Sequence, residues 1–387
     1  MHIVIDARFY RSSTAGLGRY TRALIRELIK IDHVNQYTII ITPADEAEYD
    51  QQIKNLLSSR TRVKGNLKIK NFSKFIVPIT HYTLAEQIKF VKVLNDLKPD
   101  LVHFTNFNHP ILYRGKFVTT AHDLTVMLHP VGRMQKSLIR RIAFNKVMSH
   151  AVTASRKVIA ISEATKKDLV KYLHTDPKKI QVIYEGVDSQ YKPIANSQSL
   201  IANKYIITKP YILFVSQWRP HKGLSELIKA FGILKEKYKL PHQLVITGKP
   251  NNDFFDLLSA INHSPFVKDI IRPGFMPEED LPALFNGASA FIFPSHYEGF
   301  GLPPLEAMAC GTPVISSNVS CMPEILGDAA VYFDPNKPED MAERINDILI
   351  SDDKQQILVN KGFEQVKKYS WAKMARETLD VYKEVIK

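Results

Sequence analysis

The sequence predicts an α/β protein of two domains, each built on a parallel β-sheet with flanking helices. The chain has 387 residues, which exceeds the roughly 250–300 residues at which a single hydrophobic core stops growing. Short apolar runs alternate with helical patterns along the chain, and this alternation is typical of parallel sheets with crossover helices. Two such Rossmann-like domains that face each other leave a cleft, where ligands usually bind.

The predicted strands form two series separated by a polar segment. The first series covers residues 2–9, 37–42, 101–105, 117–121, 158–162 and 181–184, and the second covers 211–216, 243–248, 269–274, 290–294, 313–317 and 330–333. Residues 188–210 are polar and contain Pro193 and Pro210, so we interpret them as a linker and the start of the second domain. We therefore expect domains over residues 1–190 and 191–370, followed by a helix over 371–387.

Composition excludes several classes of protein. The chain carries 52 Lys and Arg against 39 Asp and Glu, a net charge of +13 that favours an acidic partner or an anionic surface. No apolar run approaches the roughly 20 residues of a membrane-spanning helix, so we expect a cytoplasmic protein. Zinc-ligand spacing and RNA-recognition motifs are missing from the sequence, so nucleic acid is not an expected partner. Two cysteines, Cys310 and Cys321, make no disulfide framework.

One predicted helix carries a basic face. It covers residues 134–151, with apolar residues at helical spacing and basic residues between them: Leu138, Ile142, Ala143 and Val147, with Lys136, Arg140, Arg141 and Lys146. Such a helix either packs on a sheet with its basic face in solvent or makes peripheral contact with an anionic membrane. The sequence leaves both interpretations open.

The loop after the predicted strand 290–294 is the main candidate for a ligand site. It reads Glu298-Gly-Phe-Gly-Leu-Pro-Pro-Leu-Glu306 and places two carboxylates eight positions apart. Its glycines allow close approach of the backbone, and Pro303 and Pro304 preset the first turn of a helix. Helix N-termini favour anions, and this edge of an α/β sheet usually faces the ligand. The loop therefore suits a molecule with hydroxyls at both ends and an anionic middle.

Two further candidates lie in the first half of the chain. Gly16-Leu-Gly18 separates a strand from a helix, so it either holds a phosphate on its amides or forms a plain tight turn. Position 21 is Thr21, so the full Gly-x-Gly-x-x-Gly fingerprint of dinucleotide sites is missing. His122 follows the strand 117–121 and is either a functional group at the cleft or a structural histidine.

In the second half, Lys222 occupies the loop after the strand 211–216, with Arg219 nearby. Lys222 is either a surface residue or a compact cation for a diphosphate. The sequence has no Asp-x-Asp after a strand, no His-Glu-x-x-His and no cysteine cluster, so we expect no metal site. Charge on a departing diphosphate then has to be stabilised by Lys222, Arg219 and helix N-termini.

Taken together, these stretches resemble the family 4 glycosyltransferases, which are retaining enzymes with the two-domain GT-B fold. The matching stretches, in the family's order, are Ile5-Asp-Ala7 with Gly16-Leu-Gly-Arg-Tyr20, Thr120-Ala-His-Asp-Leu124, Ala160-Ile-Ser-Glu163, Tyr184-Glu-Gly-Val-Asp188, Arg219-Pro-His-Lys-Gly223, Pro273-Gly-Phe275 and Glu298 through Ala309. The resemblance implies transfer of a sugar from a nucleotide diphosphate donor, with no cofactor and no metal. It also implies that the last helix crosses back to the first domain, which is the acceptor side.

The resemblance also implies roles for the loop of the two glutamates. Glu298 binds hydroxyls of the transferred sugar, and Glu306 binds hydroxyls of the ribose. Amides around Phe300, Gly301 and Leu302 contact the diphosphate and the sugar.

The remaining implied roles fall in both domains. Lys222 neutralises the leaving phosphate, Gly16 closes on it from the first domain, and His122 touches the sugar. The segment Gly274-Phe275-Met276 borders the base. Many family members carry an arginine where this chain has Gln217, and Arg219 is the candidate that replaces it.

Within the family, the chain most resembles bacterial mannosyltransferases of surface-polysaccharide assembly. This likeness rests on two motifs, Ile5-Asp-Ala-Arg8 and Gly16-Leu-Gly-Arg-Tyr20. This likeness favours GDP-mannose as donor and a glycan or lipid-linked molecule as acceptor. The alternatives are a UDP-sugar-dependent glucosyl- or N-acetylglucosaminyltransferase, and a nucleotide-sugar epimerase or phosphorylase on the same fold. A non-catalytic nucleotide-binding module is the third alternative.

Overall fold

The computed structural model describes residues 1–60, 70–130, 137–195, 201, 204–248 and 255–387. The chain forms two compact units, of which the first combines Met1–Gly186 with Ser370–Lys387 and the second is Val187–Tyr369. The boundary after Gly186 lies four residues before the one expected from the sequence. Of the linker segment, residues 196–200 and 202–203 lie outside the described part.

The first unit is built on a parallel sheet. Its strands are β1 (His2–Asp6), β2 (Gln36–Ile41), β3 (Phe72–Ile76), β4 (Leu101–Phe104), β5 (Phe117–Ala121), β6 (Lys157–Ala160) and β7 (Ile180–Val182). In the described residues they form one seven-stranded sheet, in the order β3-β2-β1-β4-β5-β6-β7. The order changes direction between β1 and β4, so the carboxyl ends of these strands flank the crevice that α/β folds use for ligands.

Helices cover this sheet. They are α1 (Gly16–Ile31), α2 (Glu46–Arg60), α3 (Val91–Leu97) after a π-helical turn (Glu86–Phe90), α4 (Thr125–Leu128), α5 (Leu138–Ala154) and α6 (Glu163–Leu173). In α1, Leu24, Ile25, Leu28 and Ile29 form one apolar face, and all four side chains are buried.

Strand β3 was missing from the predicted strands. It forms an edge of the sheet, and most of its residues are exposed, so it lacks the apolar pattern of a buried strand. Lys74 interrupts the pattern and forms ion pairs of 2.7 Å with both Glu46 and Asp50 of α2. A charged edge strand of this kind discourages pairing with another chain.

The prediction for α5 was wrong about which residues pack. The residues expected on the packed face, Leu138, Ile142 and Ala143, are exposed. The buried ones are Met148, Ala151 and Val152, so the C-terminal half of the helix joins the core. Residues 134–136, with Lys136, lie outside the described part of the chain.

The second unit repeats the architecture. Its strands are β8 (Tyr211–Val215), β9 (Gln243–Thr247), β10 (Ile270–Gly274), β11 (Ala290–Phe293), β12 (Val314–Ser317) and β13 (Ala330–Phe333). Over the described ranges they form a six-stranded parallel sheet, ordered β10-β9-β8-β11-β12-β13, with its change of direction between β8 and β11. The helices are α7 (Leu224–Glu236), α8 (Phe255–Asn262), α9 (Leu281–Gly287), α10 (Leu302–Ala309), α11 (Met322–Leu326), α12 (Pro338–Leu349) and α13 (Asp352–Val366). Two parallel-sheet α/β units are therefore confirmed.

The last helix, α14 (Trp371–Ile386), belongs to the first unit and packs along α1. Its Tyr382 hydroxyl lies 2.5 Å from Nδ1 of His103, whose Nε2 lies 2.8 Å from the Thr120 hydroxyl. Thr120 also contacts the hydroxyl of Tyr20 at 3.0 Å. This buried polar chain ties the C-terminal helix to β4, β5 and α1. In the described residues, no helix combines the length and the apolar composition needed to cross a membrane.

Burial of three histidines in the first unit predicts acid sensitivity. Burial lowers the pKa of His103 to about 3 and the pKa values of His81 and His109 to about 4. In the unfolded chain these rings take up protons below about pH 6.5, whereas the folded unit keeps them neutral. The free energy of unfolding should therefore fall between pH 6.5 and 4, by up to about 1.4 kcal/mol per pH unit for each histidine.

Urea unfolding at several pH values tests this expectation. Of the two tryptophans, Trp371 lies in the first unit and Trp218 in the second, so Trp218→Phe leaves a fluorescence signal from the first unit. An unfolding free energy that stays constant from pH 6.5 to 4.5 would contradict the burial of neutral histidines.

Candidate functional site

Lys222 and Glu298 meet at the carboxyl edge of the second sheet. Lys222 ends a short 3-10 turn after β8, and Glu298 lies in the loop after the neighbouring strand β11. Nζ of Lys222 lies 2.6 Å from Oε1 of Glu298, and the two side chains are 18% and 13% exposed. A charge-assisted hydrogen bond in this partly buried place holds both groups in position. The sequence placed both residues at this edge but did not predict their direct contact.

Close backbone contact holds the two loops together. Gly223 has φ +68°, and a Cβ there would lie 2.1 Å from the carbonyl oxygen of Pro294. The His296 amide donates a hydrogen bond of 2.8 Å to the carbonyl of His221. The loops thus approach so closely that only glycine fits at position 223, directly after Lys222.

Ser320 fixes the backbone of Glu298. Its hydroxyl accepts a hydrogen bond from the Glu298 amide at 3.2 Å and donates one to the Glu298 carbonyl at 2.5 Å. The sequence does not mark Ser320 as a site residue, because a lone serine 22 positions away in the chain carries no recognisable pattern.

The start of α10 forms the other end of the same loop. Gly301 is its N-cap with φ +88°, and the two predicted prolines occupy its first turn. Because prolines carry no N–H, the amides that this helix start can offer come from the residues before them. The ring of Phe300 is buried and packs edge-on against Tyr369 at 5.5 Å. Phe300 therefore anchors the loop by its side chain.

The other predicted residues of the second unit lie on the same sheet edge or on α10. Glu306 is buried in α10. Arg219 is partly exposed and precedes the turn of Lys222. Gly274 ends β10 with φ +82°, Phe275 is 78% exposed and Met276 is buried. Phe275 is thus the member of the Gly274-Phe275-Met276 segment whose side chain is available to a ligand.

In the first unit, Gly16 begins α1 with open space where a Cβ would stand. The position at which only glycine fits is Gly18, because a Cβ there would lie 2.2 Å from the carbonyl oxygen of Arg11. Ala15, the N-cap, has φ +52°. The strand–loop–helix arrangement expected from the sequence is present.

His122 is buried beyond the end of β5 and has partners on both ring nitrogens. Nε2 lies 2.9 Å from the carbonyl oxygen of Thr105, and Nδ1 lies 3.4 Å from Oε1 of Glu185. The ring also meets the edge of Tyr20, with 4.8 Å between centroids. Glu185 was not among the predicted site residues, since 63 positions separate it from His122.

A buried charge cluster at the end of β1 was also missed. The guanidinium of Arg8 lies 2.7 Å from carboxylate oxygens of both Asp6 and Glu86, and it stacks on Phe90 at 3.8 Å. Burial raises the pKa of Glu86. The Ile-Asp-Ala-Arg stretch contains Asp6 and Arg8 of this cluster, whereas no sequence pattern marks Glu86 as the second carboxylate. The cluster fixes the loop that leads from β1 toward α1.

The described residues contain no group of three or more His, Cys, Asp or Glu side chains that is placed to hold a metal ion.

Comparison with known proteins identifies the family. Residues 14–191 match the profile described as Glycosyltransferase Family 4, and residues 199–365 match Glycosyl transferases group 1. The chain is 31% identical over 384 residues to an uncharacterized glycosyltransferase of Methanocaldococcus jannaschii, with 95% of this chain and 94% of the relative covered. It is 26% identical over 389 residues to the O-antigen chain mannosyltransferase B of Escherichia coli, with 99% and 100% covered.

Among solved structures, the sucrose-phosphate synthase of Thermosynechococcus elongatus superposes with a TM-score of 0.77 at 18% identity, covering 99% of this chain and 98% of that one. Two Rossmann-like parallel-sheet units with this likeness define the GT-B fold class. The chain belongs to the family 4 glycosyltransferases. It is a hexosyltransferase, and the expected family and fold are confirmed.

The contact at Gly223 predicts a large effect of one added methyl group. Gly223→Ala should lower the free energy of unfolding by about 3 kcal/mol or more, because the methyl meets a backbone carbonyl in a left-handed conformation. Gly274→Ala is the matched control, since Gly274 also has positive φ but nothing lies within 4 Å of its Cβ position. It should cost only about 1–2 kcal/mol.

Urea unfolding curves of both variants measure the difference. Equal destabilisation by the two substitutions would contradict the close packing of the loops after β8 and β11.

Proposed function

We propose that this enzyme transfers mannose from GDP-mannose to a glycan or lipid-linked acceptor of a cell-surface polysaccharide, with retention at the anomeric carbon and without a metal ion. The observation that carries the proposal is the Lys222–Glu298 ion pair. Glu298 lies in the loop that leads into α10, the helix with Gly301 as its N-cap and two prolines in its first turn. The choice of mannose is supported by the O-antigen chain mannosyltransferase that matches over nearly the full length of both chains.

The ion pair suits a donor with a charged and a hydroxylated part. An ammonium group has three N–H bonds, and one of those on Lys222 faces Glu298, so two remain for phosphate oxygens. The Glu298 carboxylate keeps free lone pairs for hydroxyls of the sugar. The same contact thus aligns the phosphate end and the sugar end of one donor molecule.

The other residues complete the proposed donor site. Amides of Phe300, Gly301 and Leu302 bind the diphosphate, as anions favour helix N-termini. Glu306 binds the ribose hydroxyls, and Gly274-Phe275-Met276 borders the base. Arg219 is a second cation for the phosphates.

The first unit is assigned to the acceptor. Two of its residues act on the donor as well, Gly16 at the leaving phosphate and His122 at the sugar. These assignments rest on the resemblance to the family.

The proposed reaction proceeds on one face of the sugar. The bond from the anomeric carbon to the phosphate oxygen breaks, and the bond to the acceptor oxygen forms on the same face. The acceptor proton passes to the departing phosphate. Charge on that phosphate is stabilised by Lys222, Arg219 and the helix start, in the way that fixed dipoles and cations stabilise developing charge.

Lys222→Gln should lower kcat/KM for GDP-mannose about a hundredfold or more, since it removes one cationic donor to the leaving group. Lys235→Gln is the matched control, because Lys235 forms a 2.7 Å ion pair with Asp269 on the same unit but has no proposed role. The assay measures release of GDP in EDTA, and NMR of the product determines the anomeric configuration.

Several outcomes contradict the proposal separately. Turnover with UDP-glucose in place of GDP-mannose contradicts the donor, an inverted product contradicts retention, and loss of activity in EDTA contradicts metal independence. Equal kcat/KM in the Lys222→Gln and Lys235→Gln variants contradicts the site.

We also propose that the first unit binds peripherally to an anionic membrane on the cytoplasmic side. The first two turns of α5 expose Leu138, Ile139 and Ile142, at 67%, 80% and 48%, beside the exposed Arg140 and Arg141. Exposed aliphatic residues next to cations match the boundary between acyl chains and anionic headgroups. This position would bring the enzyme to a lipid-linked acceptor.

Replacing Arg140 and Arg141 by glutamine should weaken binding to vesicles of phosphatidylcholine with phosphatidylglycerol about tenfold or more. Ile139→Ser should weaken it as well, whereas Ile350→Ser, at an exposed isoleucine of the second unit, should not. Co-sedimentation provides the measurement. Equal binding to vesicles of phosphatidylcholine alone would rule out the anionic surface as the partner.

A further inference from the structure

Ser320 holds a backbone conformation that costs energy. Its φ is +57°, in the left-handed region that residues other than glycine avoid. Ser320 lies in the loop between β12 and α11 and is exposed, so burial of its side chain does not offset this cost. A strained residue persists only where its surroundings hold it, and such residues concentrate at functional sites.

The hydroxyl of Ser320 bonds both backbone polar groups of one residue, Glu298. It accepts a hydrogen bond from the Glu298 amide at 3.2 Å and donates one to the Glu298 carbonyl at 2.5 Å. The two bonds use the acceptor and the donor capacity of a single hydroxyl. They fix the peptide groups on both sides of the Glu298 Cα, and these groups set the direction in which the carboxylate side chain leaves the backbone.

Two neighbours of Ser320 hold the rest of the loop between β11 and α10. Before it, the buried Ser317 donates a 2.6 Å hydrogen bond to the carbonyl of Ser295. After it, the buried Met322 lies so close to Gly301 that a Cβ there would be 2.4 Å from the methionine methyl carbon. The loop is thus held at its start, its middle and its end, and the middle contact is the one made by a strained residue.

We infer that Ser320 is a positioning residue for sugar transfer, and that its strained conformation places its hydroxyl where it directs the Glu298 carboxylate at the donor sugar. The inference rests on the proposed function and deepens it. Lys222 restrains the carboxylate end of Glu298 at 2.6 Å, and Ser320 restrains the backbone end. The side chain is therefore fixed at both ends. A displacement of about 1 Å in a group that orients the substrate can cost about a hundredfold in rate.

Three substitutions separate the hydroxyl from the strain. Ser320→Gly removes both, Ser320→Ala removes the hydroxyl and keeps the strain, and Ser320→Thr keeps the hydroxyl but places a branched Cβ at positive φ. The Tm should therefore be higher for Ser320→Gly than for Ser320→Ala, and lower for Ser320→Thr than for wild type. Lys239→Gly is the matched control, since Lys239 is an exposed residue of the same unit with φ +53° and no proposed role.

The kcat for GDP-mannose should follow the hydroxyl and not the Tm. At a temperature below every Tm, kcat should fall about tenfold or more in Ser320→Gly and Ser320→Ala. It should stay near the wild-type value in Ser320→Thr and Lys239→Gly. An unchanged kcat in Ser320→Gly, or kcat values that rank in the order of the Tm values, overturns the inference.

Hydrogen–deuterium exchange tests the positioning without a donor. Peptides that contain the Glu298 amide should exchange several-fold faster in Ser320→Gly and Ser320→Ala than in wild type, because that amide loses its acceptor. If wild type turns over another nucleotide sugar in place of GDP-mannose, the proposed donor fails and the variants are compared with that sugar. If it turns over none, the proposed function fails and the exchange rates decide on Ser320. Equal exchange in wild type and Ser320→Gly overturns the inference in every case.

Discussion

The contact between Lys222 and Glu298 is the interaction on which the rest of the second unit's site depends. It exists because β8 and β11 are neighbours at the point where the strand order changes direction, so their loops leave the sheet side by side. Gly223 permits the two loops to touch, and Ser320 holds the backbone of Glu298. A cation, a carboxylate and a helix N-terminus are thereby fixed together before any ligand arrives, which is the condition for electrostatic preorganisation.

The first unit follows another pattern, in which buried polar groups rather than one ion pair fix the strand ends. Arg8 is satisfied by two carboxylates, and the neutral His103 links the C-terminal helix to Tyr20 through Thr120. Glu185 faces Nδ1 of His122 across 3.4 Å.

Much of the fold could be predicted because buried parallel strands are continuous apolar runs. The edge strand β3 could not, since Lys74 and its exposed neighbours do not produce that pattern. Lys222 and Glu298 could be placed at one sheet edge from their positions after two strands, whereas their contact depends on Gly223 and Pro294 in three dimensions. Glu185 and Ser320 act on residues far away in the sequence. The exposed start of α5 was predicted wrongly because helical spacing does not reveal which half of a helix reaches the core.

A double-mutant cycle of Lys222→Gln and Glu298→Gln on the binding of GDP-mannose tests the central claim most directly. If the ion pair aligns the phosphate and the sugar of one donor, the two substitutions are coupled. The double variant should then lose clearly less binding free energy than the sum of the single losses, by about 1 kcal/mol or more. Additive losses, or no loss in either single variant, would contradict a donor site organised by this pair.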